Sequence, residues 1–412
     1  MIMKHYDKYK PSGIDWIGEV PEHWDVMPLK HGADVIMGQS PSGEDIKDEG
    51  VTPFMQGNAE FGSKYPHSSY YCDNCSKHSR VGDILMSVRA PVGELNISDQ
   101  VYGIGRGLCS IKSEKFDQGF LWFYLQKSKD DFNALANGST FTAITVDTLN
   151  NYPILLPPLA EQEAIAAYLD ARCADIDKVV ATQEKRIALL QELKQSEITQ
   201  AVTRGLNPDA RMKDSGVEWI GMVPEHWEVC KLKYYLNLIN GRAYLQHELQ
   251  EAGKYRILRV GNFFTNDQWY YSDFELEPEK YCEKGDLLFA WSASFGPYIW
   301  DEEKVIYHYH IWKVLLTRGF NKFYAYYMLQ SLSDYKRKDV HGSTMTHITM
   351  ESMNQTKIPV PSKDEQAFIA EYLDRRCGEI DKQIGAVTKQ IELLREYKQA
   401  LITEVVTGKR RV

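Results

Sequence analysis

The chain has 412 residues, of which 43% are hydrophobic and 25% are charged, a composition typical of a globular protein with two or three domains. No apolar run is long enough to cross a bilayer, and the opening MIMKHYDKYKPSG lacks the apolar core of a signal peptide. We therefore expect a cytoplasmic protein, in which seven cysteines favour reduced thiols over a disulfide framework.

The net charge of −9 bears on nucleic acid as a partner, because affinity for DNA usually rests on Lys and Arg neutralising phosphates. Either DNA is not the ligand, or the chain reads bases while a partner supplies much of the phosphate contact. The repeats along the chain decide between these interpretations.

Near its start the chain carries a motif that it later repeats. Residues 12–30 and 215–233 share 13 of 19 positions at an offset of 203, and 138–178 match 342–382 at an offset of 204. Two matches in nearly one register indicate a tandem duplication. His23 and His226 stand beside Trp24 and Trp227 in this motif, which favours a packing role over a catalytic one.

The segment after each motif is rich in aromatic residues, glycine and short strand-like runs, such as DILMSV in the first copy and DLLFAW in the second. One helical pattern follows in each copy, FLWFYLQKS and FYAYYMLQS. The loops differ freely between copies. Matching frames with different loops are typical of two binders with different targets, although neutral drift after duplication would give the same pattern.

Two features of the first copy resemble functional sites. His67, Cys72, Cys75 and His78 have a spacing that zinc could use, but the second copy has nothing equivalent, which favours a loop with buried thiols. The glycines of 103–107 have a spacing like that of nucleotide-binding loops, but no clear strand and helix surround them, which favours a turn.

A long charged segment without proline closes each copy, at 159–204 and 363–408. Alternating steps of four and three residues predict a coiled-coil seam in each. At ~1.5 Å per residue, each helix would be about 65–70 Å long. The duplicate helix is the obvious antiparallel mate, which would hold the two domains at opposite ends of a spacer; pairing with a second chain is the alternative. The seam positions are Leu169, Cys173, Ile176, Val180, Gln183, Ile187 and Leu190, and Leu373, Cys377, Ile380, Ile384, Val387, Ile391 and Leu394.

The fold prediction is therefore α+β: two similar mixed α/β domains separated by two long helices in an intramolecular antiparallel coiled coil, with a pseudo-twofold. The predicted boundaries are 1–157 for the first domain, 158–205 for the first helix, 206–361 for the second domain and 362–412 for the second helix.

A catalytic constellation is missing from the sequence. It has no phosphate-binding GxxxxGK[ST] loop, no HExxH, no Gly-x-Ser-x-Gly and no Asn/Asp-Pro-Pro-aromatic tetrapeptide of an amino-methyltransferase. We therefore expect neither catalysis nor a metal site in this chain.

The chain resembles the specificity subunit of type I restriction-modification systems. The resemblance rests on Trp-Ile-Gly-x-x-Pro-Glu-His-Trp at 16–24 and 219–227, on Arg89-Ala-Pro-Val-Gly93, and on Gly-Ser-Thr before Pro-x-x-x-Glu-Gln at 138–162 and 342–366. It covers essentially the whole chain. One departure is Trp291-Ser292 where the first copy has Val88-Arg89, so this arginine cannot act in both domains.

The resemblance implies a non-catalytic subunit that binds double-stranded DNA, two modification subunits and restriction subunits. S-adenosylmethionine would lie on the modification subunits, which methylate adenine N6 in a split target, and ATP and Mg²⁺ on the restriction subunits. Each domain would read one half of the target, and helix length would set the unread gap. We expect the isolated subunit to bind DNA weakly, because the modification subunits would clamp the duplex.

Candidate DNA-reading side chains are those that can meet base edges from loops. Exposed polar positions on the first helix are the candidates for binding the modification subunits. The DNA candidates are Gln39, Ser40, Lys64, Arg89, Arg106, Ser139, Thr140, Arg242, Tyr244, Arg259, Ser292, Ser294, Ser343, Thr344 and His347, and the partner candidates are Glu184, Lys185, Gln191 and Lys194.

Two other functions remain open on the sequence alone. One is the specificity subunit of a system in which a single partner both cuts and methylates. The other is a coiled-coil scaffold that joins two protein-binding modules without DNA.

Overall fold

A mixed α/β domain followed by one long helix occurs twice along the chain. The computed structural model describes residues 5–137, 143–264, 266–292, 295–338 and 348–412. By its contacts the chain divides into two units, the described residues up to 184 together with 389–412, and 185–388.

Eleven strands are described in the first domain, where strongly apolar runs alternate with Gly- and Ser-rich turns. They are β1 (Tyr9–Pro11), β2 (Glu19–Pro21), β3 (Asp25–Pro28), β4 (Ala33–Met37), β5 (Pro53–Met55), β6 (Tyr70–Tyr71), β7 (Ile84–Ser87), β8 (Leu95–Ile97), β9 (Gly103–Ile104), β10 (Leu108–Ser113) and β11 (Pro153–Leu156).

Twelve strands are described in the second domain. They are β12 (Met212–Asp214), β13 (Met222–Pro224), β14 (Glu228–Lys231), β15 (Leu236–Asn240), β16 (Tyr255–Leu258), β17 (Tyr270–Ser272), β18 (Tyr281–Cys282), β19 (Leu287–Ala290), β20 (Gly296–Ile299), β21 (Val305–Tyr307), β22 (Ile311–Leu316) and β23 (Lys357–Val360).

The helices repeat in the same way, with short helices inside each domain and one long helix after it. They are α1 (Gln118–Lys127), α2 (Lys129–Asn137), α3 (Val146–Asn150), α4 (Leu159–Arg204), α5 (Lys322–Lys338), α6 (Met350–Gln355) and α7 (Lys363–Val406). None of the described helices has the length and apolar character needed to cross a membrane.

The two domains share one sheet topology. A four-stranded antiparallel sheet has the order β4-β10-β7-β8 in the first domain and β15-β22-β19-β20 in the second. A second sheet has three strands in the first domain, β6-β5-β9, and four in the second, β17-β16-β21-β18, and in each it contains one parallel pair, β5 with β9 and β16 with β21. The fold is thus mixed α/β in both copies, as the duplicated sequence predicts.

Most positions of the predicted apolar stripe along the long helices are buried, and Gln183, Ile187, Leu190, Ile384 and Leu394 are half-buried. Leu169 and Leu373 are fully buried, and Cys173 and Cys377 nearly so. Burial raises the pKa of both thiols to about 11, so they remain protonated and pack as small hydrophobic side chains.

Ion pairs across the helices fix their direction in the first unit. Asp177 and Glu184 on α4 pair with Lys398 and Arg395 on α7, at 2.7 and 2.8 Å. Residue numbers rise along one helix as they fall along the other, so these segments are antiparallel.

The second unit shows the same arrangement with different residues. Lys194 of α4 pairs with Asp381 of α7 at 2.7 Å. Nearer the end of α4, Arg376 of α7 donates to both carboxylate oxygens of Glu197, at 2.6 and 3.0 Å. Glu197 is only 16% exposed, and such bidentate pairs are stronger than exposed single contacts.

In the first domain the repeated motif holds the start of the long helix. The ring Nε2 of His23 lies 2.6 Å from Glu161 Oε1, and the buried Trp24 indole donates to Oε2 at 2.9 Å. Glu161 lies in the first turn of α4, where the helix dipole favours a carboxylate.

In the second domain the His226 ring and the Trp227 indole both bind Oε1 of Glu365 on α7, at 2.8 and 3.1 Å, and the Ser362 hydroxyl donates to Oε2 at 2.8 Å. Burial opposes ionisation, but these hydrogen bonds outweigh it and lower the pKa of Glu365 to about 2. The two exposed histidines thus bind the glutamates at the helix starts, and the packing that the sequence predicts for this motif is provided by the buried tryptophans.

The glutamine after each glutamate fastens the same helix start. Gln162 is buried; its carbonyl accepts from the Asp117 amide at 2.8 Å and its amide donates to the Pro157 carbonyl at 2.8 Å. Gln366 makes the equivalent bonds in the second unit. The Glu-Gln pair thus connects the start of each long helix to its domain and to the proline-containing segment just before the helix.

The other end of a long helix packs on the same tryptophan in each unit. Gly205, just after α4, has φ +71° and lies against Trp227, and Gly408, just after α7, has φ +70° and lies against Trp24 and Pro21. A β-carbon at Gly408 would collide with the Pro21 ring. Each tryptophan is therefore clamped between the start of one helix and the end of the other.

The cysteines differ from expectation at one place. Cys72 and Cys75 form a disulfide, with their Cα atoms 5.6 Å apart, so the prediction of reduced thiols is wrong for this pair. The turn between them brings both residues under Phe54 into one buried cluster. Among the described residues no group of His, Cys, Asp and Glu has the arrangement of a metal site.

Candidate nucleic-acid interface

Four segments meet at one edge of each domain, and matching backbone hydrogen bonds hold them in both copies. They are the residues after β4 or β15, after β5 or β16, after β7 or β19, and the turn before β10 or β22. In the first domain the amides of Gln39, Gly105 and Val88 donate to the carbonyls of Ile104 (2.9 Å), Met55 (2.7 Å) and Gly107 (2.9 Å). In the second domain the corresponding amides of Arg242, His308 and Trp291 donate to the carbonyls of Tyr307 (3.0 Å), Leu258 (2.9 Å) and His310 (3.1 Å).

We call these segments the variable edge, because the side chains on this shared backbone differ between the copies. The variable edge consists of residues 39, 56, 88–89 and 105–107 in the first domain, and of 242, 259, 291–292 and 308–310 in the second.

In the first domain the turn carries a single side chain. A β-carbon at Gly105 would lie 2.8 Å from the Cα of Gln56, and one at Gly107 would lie 2.6 Å from the Gln56 carbonyl oxygen. The close approach of the neighbouring segment therefore requires both glycines. Between them Arg106 is exposed, and the predicted turn is confirmed at this residue.

In the second domain the same turn carries three rings. Trp291 lies 5.7 Å from Tyr309 and 4.9 Å from His310, between ring centroids, and His308 lies 4.7 Å from Tyr309. Tyr309 is 37% exposed. The result is an aromatic surface where the first domain has one cation.

His308 in this surface is neutral at physiological pH. Burial, with smaller contributions from the charges of His310 and Arg259, lowers the pKa of His308 to about 4. Its imidazole therefore offers one donor and one acceptor rather than a positive charge.

The predicted residues Arg242, Tyr244 and Arg259 also gather here. Arg242 is held by both oxygens of Glu248, at 2.7 and 3.3 Å, and lies 4.2 Å from the Phe274 ring centroid. Arg259 lies 5.3 Å from the Tyr270 ring and has no carboxylate partner among the described residues. Arg259 is therefore the more available of the two cations.

Two other predicted residues of this domain are less available. The Tyr244 ring stacks on His308, and its hydroxyl is buried without a hydrogen-bond partner. Ser292 is only 9% exposed. Neither hydroxyl is presented to solvent in this structure.

The first-domain predictions divide by position. Gln39, Ser40, Arg89 and Arg106 lie at the variable edge or next to it, whereas the Lys64 carbonyl accepts from the amide of Ile97 on β8 and so lies elsewhere. The Gln39 side chain accepts from Ser76 at 3.2 Å, and Ser40 accepts from Gln56 at 2.7 Å. Six further candidates, Ser139, Thr140, Ser294, Ser343, Thr344 and His347, fall outside the described residues.

Sequence reasoning missed Gln56, Trp291 and Tyr309 at this edge. An alignment of the two copies could have found them, since they fall at positions where a well-matched frame carries unlike side chains. Hydrogen bonds that close between distant segments were needed to show that these positions share one surface.

The four partner candidates on α4 fall into two classes. Glu184 and Lys194 are engaged in the ion pairs across the helices described above, whereas Lys185 and Gln191 are exposed. All four remain predictions as binding residues.

Comparison with known proteins bears directly on the duplicated architecture. The model of the type I restriction modification DNA specificity domain matches residues 21–190 and again 224–391. The chain belongs to the type I restriction-modification specificity family. It is thus a specificity subunit with two target-recognition domains, one in each matched region.

Individual relatives agree with this assignment. The chain is 26% identical over 423 residues to the type I restriction enzyme MjaVIII specificity subunit of Methanocaldococcus jannaschii, covering 95% of this chain and 94% of that protein. A protein of the same organism assigned as the MjaX specificity subunit is 43% identical over 183 residues, but this match spans only 43% of this chain and 42% of that protein.

A solved structure supports the fold. A chain from a structure of a type I restriction-modification system has a TM-score of 0.71 with this chain at 17% identity, covering 94% of this chain and 98% of its own length.

Proposed function

We propose that this protein is the DNA sequence-specificity subunit of a type I restriction-modification complex and reads a bipartite target, one half per domain. The observation that carries the proposal is the variable edge. Matching hydrogen bonds preserve its backbone in both domains, while its side chains change from Gly-Arg-Gly to His-Tyr-His. A conserved frame with exchanged polar side chains is suited to reading different bases.

The long helices would set the gap between the two half-targets. In this proposal α4 and α7 form an intramolecular antiparallel coiled coil with a pseudo-twofold. Support comes from the buried stripe and from the ion pairs within each unit. At ~1.5 Å per residue, the 46 residues of α4 span about 69 Å, which is roughly two turns of B-DNA.

The chemistry would belong to the partners. Two modification subunits with S-adenosylmethionine would methylate adenine N6, and restriction subunits with ATP and Mg²⁺ would translocate and cut unmodified DNA. Methylation requires the adenine to be flipped out of the stack, so the specificity subunit would hold the duplex in register for that step.

The acidic balance fits a division of labour in binding. With a net charge of −9, acidic side chains outnumber basic ones, and Arg242 is already paired to Glu248, so the chain as a whole repels phosphates more than it attracts them. We expect weak, salt-sensitive binding by the chain alone and tight binding by the assembled complex. Tight, salt-resistant and specific filter binding by the isolated chain would contradict this.

Mapping of N6-methyladenine in cells with and without this gene tests the function. We expect a split motif that disappears on deletion, and of which only one half changes when residues 206–361 are replaced by the domain of a relative. A deletion that removes no motif while the modification subunit is expressed would favour the protein scaffold instead.

A further inference from the structure

Arg106 and Tyr309 occupy the same position in the two domains. Each is the middle residue of the turn before the long central strand, β10 or β22. The turns are fixed alike: the Leu108 amide donates to the Gly105 carbonyl at 3.0 Å, and the Ile311 amide donates to the His308 carbonyl at 2.9 Å. A difference in what these turns bind therefore comes from the side chains rather than from the backbone.

The two side chains differ in what they can recognise. The Arg106 guanidinium is exposed and has no carboxylate partner among the residues that the structure describes, in contrast to Arg242. Its flanking glycines leave no side chain to block approach by a base edge. Tyr309 stands between His308 and His310 beside Trp291, so the second turn presents rings instead.

We propose that the middle residue of this turn is a specificity-determining position, at which Arg106 selects a guanine in the first half of the target. A guanidinium donates two parallel hydrogen bonds to guanine O6 and N7, and this is the commonest specific contact in the major groove. The tyrosine of the second domain lacks that donor pair, so its turn does not select guanine in this way. The inference rests on the function proposed above.

Exchanging the two side chains tests the position in cells. We expect Arg106→Tyr to relax one guanine in the first half of the methylated motif and to leave the second half unchanged. Tyr309→Arg should add a preference for guanine in the second half alone. The matched controls are Arg80→Tyr and Tyr234→Arg, which make the same chemical changes at exposed residues before β7 and before β15, at the strand ends away from the variable edge. Both controls should leave the motif unchanged.

Binding by the assembled complex of purified specificity and modification subunits provides a second readout. Replacing the selected guanine by 7-deazaguanine removes the N7 acceptor and should weaken binding of the native complex about tenfold, since a bidentate pair contributes roughly 1–3 kcal/mol of discrimination. The Arg106→Lys complex keeps the charge but not the fork. It should bind both duplexes equally.

The inference is overturned if the first half-target contains no guanine, or if Arg106→Tyr and Arg106→Lys leave the motif and the 7-deazaguanine effect unchanged. It is also overturned if both variants assemble but relax a base other than guanine. These outcomes are distinguishable from failure of the proposed function, in which the native gene itself would specify no motif.

Discussion

The two copies have kept the same side chains in one region and changed them in another. The region kept is the helix junction, where the His-Trp pair of the opening motif meets the first turn of the following long helix; the region changed is the variable edge. At the junctions the same side chains recur: His and Trp of the opening motif bind the glutamate of the following helix in both units. At the edges the same backbone hydrogen bonds recur beneath different side chains. The junctions thus maintain the framework of both units, and the edges are where the proposed function requires the two domains to differ.

Removal of a junction tryptophan should have the largest effect on stability. Trp24 and Trp227 are almost fully buried, and truncation of a buried Trp to Ala costs about 3–5 kcal/mol. We expect Trp24→Ala and Trp227→Ala to lower the urea midpoint strongly. Trp16→Ala is the matched control, because Trp16 is 47% exposed. An equal loss of stability in this control would contradict the prediction that burial at the junction makes Trp24 and Trp227 more important than an exposed tryptophan.

The glycine after α7 should come next. Gly408→Ala must adopt a left-handed backbone, which costs about 1–2 kcal/mol, and its β-carbon also meets Pro21. The matched control is Gly385, which lies inside α7 with open space where a β-carbon would be. Gly385→Ala should therefore stabilise the chain by about 0.5–1 kcal/mol. Thermal unfolding of the two variants should therefore shift in opposite directions; shifts of the same sign would contradict the packing at this end of α7.

Acid should weaken the second junction. The pKa of Glu365 falls from about 4.5 in the unfolded chain to about 2 in the folded protein, so its contribution to stability is complete above pH 4.5 and disappears as the pH falls toward 2. We expect Glu365→Gln to cost about 1 kcal/mol at pH 7 and less at pH 3, where only part of the contribution remains, measured by urea denaturation. Glu371→Gln, on the exposed side of the same helix, should show no such dependence.

Charge exchange across the helices should produce a smaller effect. Arg376→Glu places like charges beside Glu197 and should cost roughly 1 kcal/mol, which the second change Glu197→Arg should largely restore. Denaturation of the single and double variants measures this coupling. A double variant no more stable than the single would argue against this pairing of α4 and α7.

Substitution at the variable edge should have the smallest effect on stability. Arg106 is exposed and unpaired among the described residues, so Arg106→Ala should change the free energy of unfolding by no more than about 0.5 kcal/mol. The same variant should alter the methylated motif. A large loss of stability would instead place Arg106 with the junction residues and end the contrast between the two regions.

Much of the architecture follows from the sequence by itself. The repeated motif is visible when the chain is compared with itself. The spacing of Leu169, Cys173 and Ile176 predicts a helix face, because buried positions must recur about once per helical turn. The family could likewise be identified from motifs that recur in matching order. Arg242 and Arg259 could be proposed from residue type alone, since bases are met by few kinds of side chain.

Tertiary structure decided which of these residues belong together. Only contacts between distant segments show that Gln56, Trp291 and Tyr309 lie at the variable edge and that Ser292 is buried. Those contacts depend on how strands far apart in the chain pair and pack. Periodicity reports which face of an element is buried, but it carries no information about which other element covers that face.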